Sequence, residues 1–276
     1  MSFSVNTNPG ALIALQNLGA TNRDLFTTQN KISTGLEVGS AKDDGAIFAI
    51  AQKNRADVAG LGAVKNSLDR GTSAVDVALA AGEAISDLLI ELKAKVVAAT
   101  DTSLDTSSRD AINADFQALK DQIANIAGNA EFNGVDLIGE SAANLAVLAN
   151  DSGSVTFGTI TVTSVQLTTT ALGLTAGTNV STAAAAVSAL ALVEAAISTT
   201  NTGLANLGTA SKKLSIHNTF VGKLQDALEV GIGNLVDADL AKESANLQAL
   251  QIQQQLGTQA LSIANSAPQI LLGLFR

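Results

Sequence analysis

The feature that most constrains this chain is the near absence of helix breakers. Proline occurs only at Pro9 and Pro268, so nothing between them forbids long, uninterrupted helices. Along that stretch apolar residues recur at 3–4 spacing. One seam runs Ala11, Leu15, Leu18, Asn22, Leu25, Gln29, Ile32, Leu36, with Asn22 and Gln29 as polar breaks of the kind that set register. After Gly39-Ser40 a second seam runs Ile47, Ala51, Val58, Leu61, Leu68, Val75, Leu79, Leu89, Val96. Ser40 with Asp43 reads as its capping box. A helix over about 42–100 would be roughly 90 Å long, against roughly 50 Å for a globule of this size, which predicts an elongated rod. Gly60, Gly62, Gly71 and Gly82 fall inside it and read as close-packing points, the alternative being a break at Gly60–Gly62.

A third helix follows, capped by Ser107 with Asp110, carrying Ile112, Phe116, Leu119, Ile123 and Ile126, and ended by Gly128. Phe132-Asn133-Gly134 marks a turn, after which the period drops to two. Strands are expected at Leu145–Asn150 and Val155–Leu167, joined by a turn at Asp151–Gly153. Ser181 opens another helix with the seam Leu190, Val193, Ile197, Leu204, Leu207, Leu214, Val221, Leu228, Leu235. The last helix carries two stripes. One is Leu240, Leu247, Leu250, Leu261, Ala264, Leu271; the other is Ala245, Ala249, Ile252, Leu256, Ala260, Ile263, Ala267, Ile270, Leu274. A helix apolar on two faces is expected to be covered on both. The chain's own N-terminal helix can cover one, and a second copy the other.

The expected fold is therefore mainly α: an elongated rod of long antiparallel coiled-coil helices with a small β-hairpin region in mid-chain. The expected domains are 1–40 with 236–276, 41–140 with 181–235, and a short outer segment 141–180.

Charge supports that division. Residues 1–22 and 244–275 carry no charged side chain, and amides such as Gln251, Gln253, Gln254 and Gln255 replace them at the C-terminal end. Such ends suit burial against protein, where unpaired charge would be costly, and are too polar for a membrane span. No basic stretch precedes an apolar block at the N-terminus, so no secretory signal is expected. The chain has no Cys, Trp or Tyr and one His, which removes disulfides, thiol chemistry, thiolate metal sites and aromatic base-stacking platforms. A net charge of −9 disfavours nucleic acid.

The two ends also resemble bacterial flagellin. Val5-Asn6-Thr7-Asn8, Ala11-Leu12, Gln16-Asn17-Leu18, Ile32-Ser33-Thr34-Gly35, Ser40–Ala46 and Phe132-Asn133-Gly134 carry the resemblance at one end. Asp237–Glu243, Gln251–Gly257, Ala264–Gln269, Ile270-Leu271 and Leu274-Phe275-Arg276 carry it at the other. The match looks nearest to short alphaproteobacterial members. The resemblance implies a non-enzymatic filament subunit without cofactor, exported unfolded through the flagellar type III apparatus with a cytoplasmic chaperone. It also implies an extracellular place between hook-junction and cap proteins, with the termini forming the filament's inner layer. The alternative is a hook–filament junction protein, which shares the terminal helices. The expected assembly interface is Leu15, Leu18, Leu25, Ile32, Leu247, Leu250, Ile252, Leu256, Leu261, Ile263, Ile270, Leu271 and Leu274. Ile90–Ala98 departs from a run that many members present to an innate immune receptor, with Glu91 in place of an Arg and Ala94 in place of a Glu.

Three weaker signals remain. His217 has no nucleophile-elbow context, so a helix-face or interface His is expected. Asp237-x-Asp239 could begin a calcium loop, but Lys242 and Gln248 occupy its Gly and Glu positions, so these acids read as helix N-terminal groups. From Asp151 to Thr182, 14 of 32 residues are Ser or Thr. Ordinary strand and loop chemistry accounts for them; the sharper expectation is O-glycosylation at Thr168, Thr169, Thr170, Thr175 or Thr178.

Overall fold

The computed structural model describes residues 7–151 and 158–273, with side chains as far as Ser266. The fold is mainly α: α1 (Pro9–Thr34), α2 (Gly45–Ala99), α3 (Thr106–Asn129), α4 (Ala183–Val236) and α5 (Leu240–Gly273). Two small antiparallel hairpins lie between α3 and α4, β1 (Glu131–Phe132) with β2 (Val135–Asp136) and β3 (Leu145–Leu148) with β4 (Thr159–Val162). The chain forms two compact units: residues 1–56 with 227–276, and residues 57–226. Part of the expected strand and turn around Asp151–Val155 lies outside the described residues.

In the second unit, α2 runs unbroken through Gly60–Gly62. Its buried face follows a strict heptad: Leu61, Val64, Leu68, Gly71, Val75, Ala78, Gly82, Ile85, Leu89, Leu92, Val96, Ala99. The glycines serve the close packing expected of them. A Cβ on Gly71 would lie 2.5 Å from Val147, and one on Gly82 would lie 2.8 Å from Leu204. Gly60 abuts Asp151 in the same way, whereas Gly62 has ordinary clearance. On α4 the buried face is Ala186, Ala189, Val193, Ala196, Thr200, Gly203, Leu207, Leu214 and Val221. Helix α4 contains a stretch long and apolar enough to cross a bilayer by length and composition, although five of these residues from Ala186 to Thr200 are packed inside the unit.

Helix α3 differs from expectation in its cap and its face. Asp105, not Ser107, caps it, accepting from the Ser108 amide at 3.0 Å, and the helix runs on through Gly128 to Asn129. The buried residues are Arg109, Phe116, Lys120, Ile123 and Ala127, while Ile112, Leu119 and Ile126 are half-buried. The polar members are held by loop carbonyls. Arg109 donates to Ala99, Asp101 and Leu104; Lys120 donates to Thr175 at 2.8 Å and Thr178 at 3.2 Å. Asn133 and Gly134, at φ 52° and 80°, make the β1–β2 turn, a backbone geometry that suits Asn-Gly.

In the first unit, the start of α2 is also reset. Asp44 caps it, accepting from the Ala46 and Ile47 amides, while Asp43 closes a preceding turn by accepting from Gly39 and Ser40. Val38, Ala51 and Val236 form a small core with Leu36, Ile47, Phe48 and Ile232. A backbone bridge between Leu36 and Asp237 ties the two chain reversals together. Asp239 caps α5 through the Ala241 and Lys242 amides, the helix-terminal role expected of it.

Candidate assembly interface

Helices α1 and α5 pair antiparallel. Asn8 caps α1 through the Ala11 amide and donates to the Ala264 carbonyl at 2.6 Å. Further along, Gln254 donates to Asn22 at 2.7 Å, and the Leu36–Asp237 bridge closes the far end. On α5 the covered positions are Glu243, Leu247, Leu250, Gln254, Gly257, Leu261 and Ala264, so the first expected stripe holds from Leu247 to Ala264 with its gaps filled in, whereas Leu240 at its head is exposed. On α1 they are Ala11, Ala14, Leu18, Thr21, Leu25, Thr28 and Ile32. The expected α1 seam therefore holds at Ala11, Leu18, Leu25 and Ile32 but not at Leu15 and Gln29, which are exposed; Asn22 is exposed as well but accepts from Gln254 across the pair. Small residues take the alternate places because the helices approach closely: a Cβ on Gly257 would sit 3.2 Å from a Leu18 methyl.

The second α5 stripe is uncovered. Ile252 and Leu256 are each 58% exposed and Ile263 is 70% exposed, with Ala245, Ala249 and Ala260 open between them. On α1, Leu12, Ile13, Leu15 and Phe26 are also open. The sequence reading gave α1 a single stripe and so missed Leu12, Ile13 and Phe26; their positions just off the seam were the available signal. These open apolar positions make this side of the α1–α5 pair the candidate interaction surface. Ile270 and Leu271 belong to α5, but their side chains are not among those described, and Leu274 lies outside the described residues.

The remaining candidates are placed as follows. The His217 ring nitrogen Nε2 lies 2.7 Å from the Ala149 carbonyl and the ring packs against Phe220, so it ties α4 to the end of β3. Thr170 and Thr175 are exposed, and Thr168 and Thr169 are half-buried. Thr178 is buried, with its carbonyl taken by Lys120 and Gln117, so the expectation of an exposed hydroxyl fails there.

These features define an α-helical coiled-coil protein whose two ends pair with each other. Residues 5–143 match the model of the bacterial flagellin N-terminal helical region, and residues 190–275 match that of the C-terminal helical region. The chain belongs to the bacterial flagellin family and is a structural subunit of the flagellar filament. It is 55% identical over 273 residues to flagellin FljN of Caulobacter vibrioides, covering 99% of this chain and 98% of that protein. It is 39% identical over 283 residues to a flagellin of Brucella melitensis, covering 99% of each. Nothing in these likenesses favours a junction protein. Among solved structures, Bacillus cereus flagellin overlaps 66% of this chain and 94% of that one at 19% identity, with a TM-score of 0.41.

Proposed function

We propose that this flagellin assembles through the face that the α1–α5 pair leaves open, each copy covering the Ile252–Leu256–Ile263 stripe of another. The uncovered stripe carries the reading: α5 is apolar on two sides and α1 covers one. Charge-free, amide-bearing ends can be desolvated in such a layer without leaving buried unpaired ions. A contact between different faces of successive copies propagates instead of closing. The interface is then Leu15, Ile252, Leu256, Ile263, Ile270 and Leu274 between copies, with Leu18, Leu25, Ile32, Leu247, Leu250, Leu261 and Leu271 holding the pair within each copy. The domains 1–40 with 236–276, 41–140 with 181–235, and 141–180 would form the inner, middle and outer layers. Family membership supports export without a cleaved signal, through the flagellar type III apparatus with a cytoplasmic chaperone. It also supports contact with hook-junction and cap proteins. The test is seeded polymerisation of chains lacking residues 1–30 or 247–276. Helical, soluble protein that does not elongate filament seeds is expected; normal elongation by either truncation would overturn the proposal.

A further inference from the structure

Asn133-Gly134 is the one place in the chain where asparagine precedes glycine. Both residues are exposed at the tip of the β1–β2 hairpin. Among the described residues, neither the Asn133 side chain nor the Gly134 N–H has a hydrogen-bond partner. The Gly134 nitrogen is also uncrowded. Apart from its chain neighbours, the nearest atom to where a Cβ would sit is Glu131 Oε1, 4.0 Å away. The hairpin that holds the tip has only two rungs, Glu131 opposite Asp136 and Phe132 opposite Val135. A hairpin that short is marginal by itself, so its tip opens by local fluctuation. An asparagine before glycine loses ammonia more readily than one before any larger residue, because no Cβ blocks the approach of the next nitrogen to the side-chain carbon.

We propose that Asn133 is a site of spontaneous, enzyme-free deamidation and isomerisation. The Gly134 nitrogen gives up its proton and attacks Asn133 Cγ. The Cγ–Nδ2 bond breaks, ammonia leaves with that proton, and a five-membered succinimide remains. Water then opens the ring at one of its two carbonyl carbons. Opening at Cγ leaves an ordinary Asp. Opening at the main-chain carbonyl leaves isoaspartate, in which the backbone runs through Cβ and Cγ. Water is the sole co-reactant, so the converted fraction records the age of the chain. The two products differ in consequence. Asp-Gly suits the same tight turn as Asn-Gly. Its new carboxylate shares a cavity of about 170 Å³ with Arg70, which is in no ion pair among the described residues. Isoaspartate instead adds a methylene to the backbone of a two-residue loop, and two rungs cannot absorb it. The next contacts along the chain are then strained. Asp136 accepts from the Ile138 and Gly139 amides, and the Leu137 and Ile138 carbonyls accept from Val165 at 2.8 Å and Leu167 at 2.7 Å. The isoaspartyl chain loses the Val165 and Leu167 bonds first, while the helices stay folded.

The test incubates the full purified chain at neutral pH and physiological temperature and maps its peptides by mass spectrometry. The peptide holding Asn133 is expected to gain the mass of an amide-to-acid conversion and to split into two species. Only the isoaspartyl species should accept a methyl group from an isoaspartyl-specific methyltransferase. Asn66 and Asn265, each followed by serine and each within a helix, are expected to convert at least tenfold more slowly. Gly134→Ala is expected to slow conversion at Asn133 at least tenfold, and Asn133→Gln to abolish it. The native chain is expected to convert within about tenfold of its rate in urea, because opening two rungs costs little. In hydrogen exchange, the Val165 and Leu167 amides are expected to exchange faster in the isoaspartyl fraction and at the starting rate in Asn133→Asp. An Asn133 that keeps its amide in the native chain while converting in urea overturns the proposal, as does conversion no faster than at Asn66. An isoaspartyl fraction with unchanged exchange at Val165 and Leu167 overturns the loosening.

Discussion

Ile263→Ala isolates the contribution of the open α5 face. The side chain is 70% exposed in the single chain, and full burial of an isoleucine contributes about 1.5–3 kcal/mol, so assembly has roughly 1–2 kcal/mol left to gain there. Truncation to alanine forfeits most of that. At about 1.4 kcal/mol per tenfold, the critical concentration for elongation should rise about 5- to 30-fold. The isolated chain should barely notice, because an exposed position off the α1 seam changes folding stability by about 0.5 kcal/mol or less. The assay is the concentration of unpolymerised protein left at steady state over filament seeds, with urea unfolding as the companion measurement. Leu261→Ala, on the covered stripe, is the contrast: it should loosen the α1–α5 pair and shift the unfolding curve. A critical concentration for Ile263→Ala within twofold of the starting protein would refute the argument that this face is buried between copies.

Three further outcomes follow from particular contacts. Gly71→Ala, whose new methyl meets Val147 at 2.5 Å, should destabilise the chain by about 1–3 kcal/mol, whereas Gly208→Ala, with nothing within 4 Å, should stabilise it by about 0.4–1 kcal/mol; urea titration compares them. Asp105 is held below the usual carboxylate range by its hydrogen bond with Ser108, and Asp101 by its bond with Ser103. Because both are lower in the folded state, their stabilisation is present above the ordinary carboxylate range and lost as pH falls through the folded values. Amide protection at the start of α3, measured relative to the intrinsic exchange rate at each pH, should therefore fall on acidification, and Asp105→Asn should blunt the change. In a receptor reporter assay, purified protein should activate weakly, because Glu91 is exposed with the wrong charge and Lys93 is engaged by Glu194; full-strength activation would reject this.

Most of the architecture was legible in the sequence because strict heptads with few breakers permit little else. The positions Leu61, Leu68, Val75, Leu89 and Val96 on α2, and Val193, Leu207, Leu214 and Val221 on α4, were marked by their large apolar side chains. Gly71 and Gly82 were marked too, as glycines inside a helix, but Ala78, Ala196 and Gly203 were not, because a small residue at a close approach looks the same in sequence as a small residue on the surface. The phase of α1 went astray for that reason: Thr21 and Thr28 fill the seam, and Leu15 lies outside it. On α3, Lys120 is buried because carbonyls of the distant residues Thr175 and Thr178 accept from it, and Arg109 because the end of α2 and the following turn fold back over it, neither of which an apolar periodicity encodes. The open α5 stripe was legible because it consists of large apolar residues at helical spacing. Its counterpart on α1 was missed because Leu12, Ile13 and Phe26 are scattered along the helix.

Electron cryo-microscopy of filaments elongated from purified protein bears most directly on the central claim. Ile252, Leu256 and Ile263 should lie in an inner helical layer, each packed against side chains of another copy, with α1 and α5 still paired as in the single chain. Filaments in which that stripe faces solvent, or in which α1 has left α5, would contradict the account.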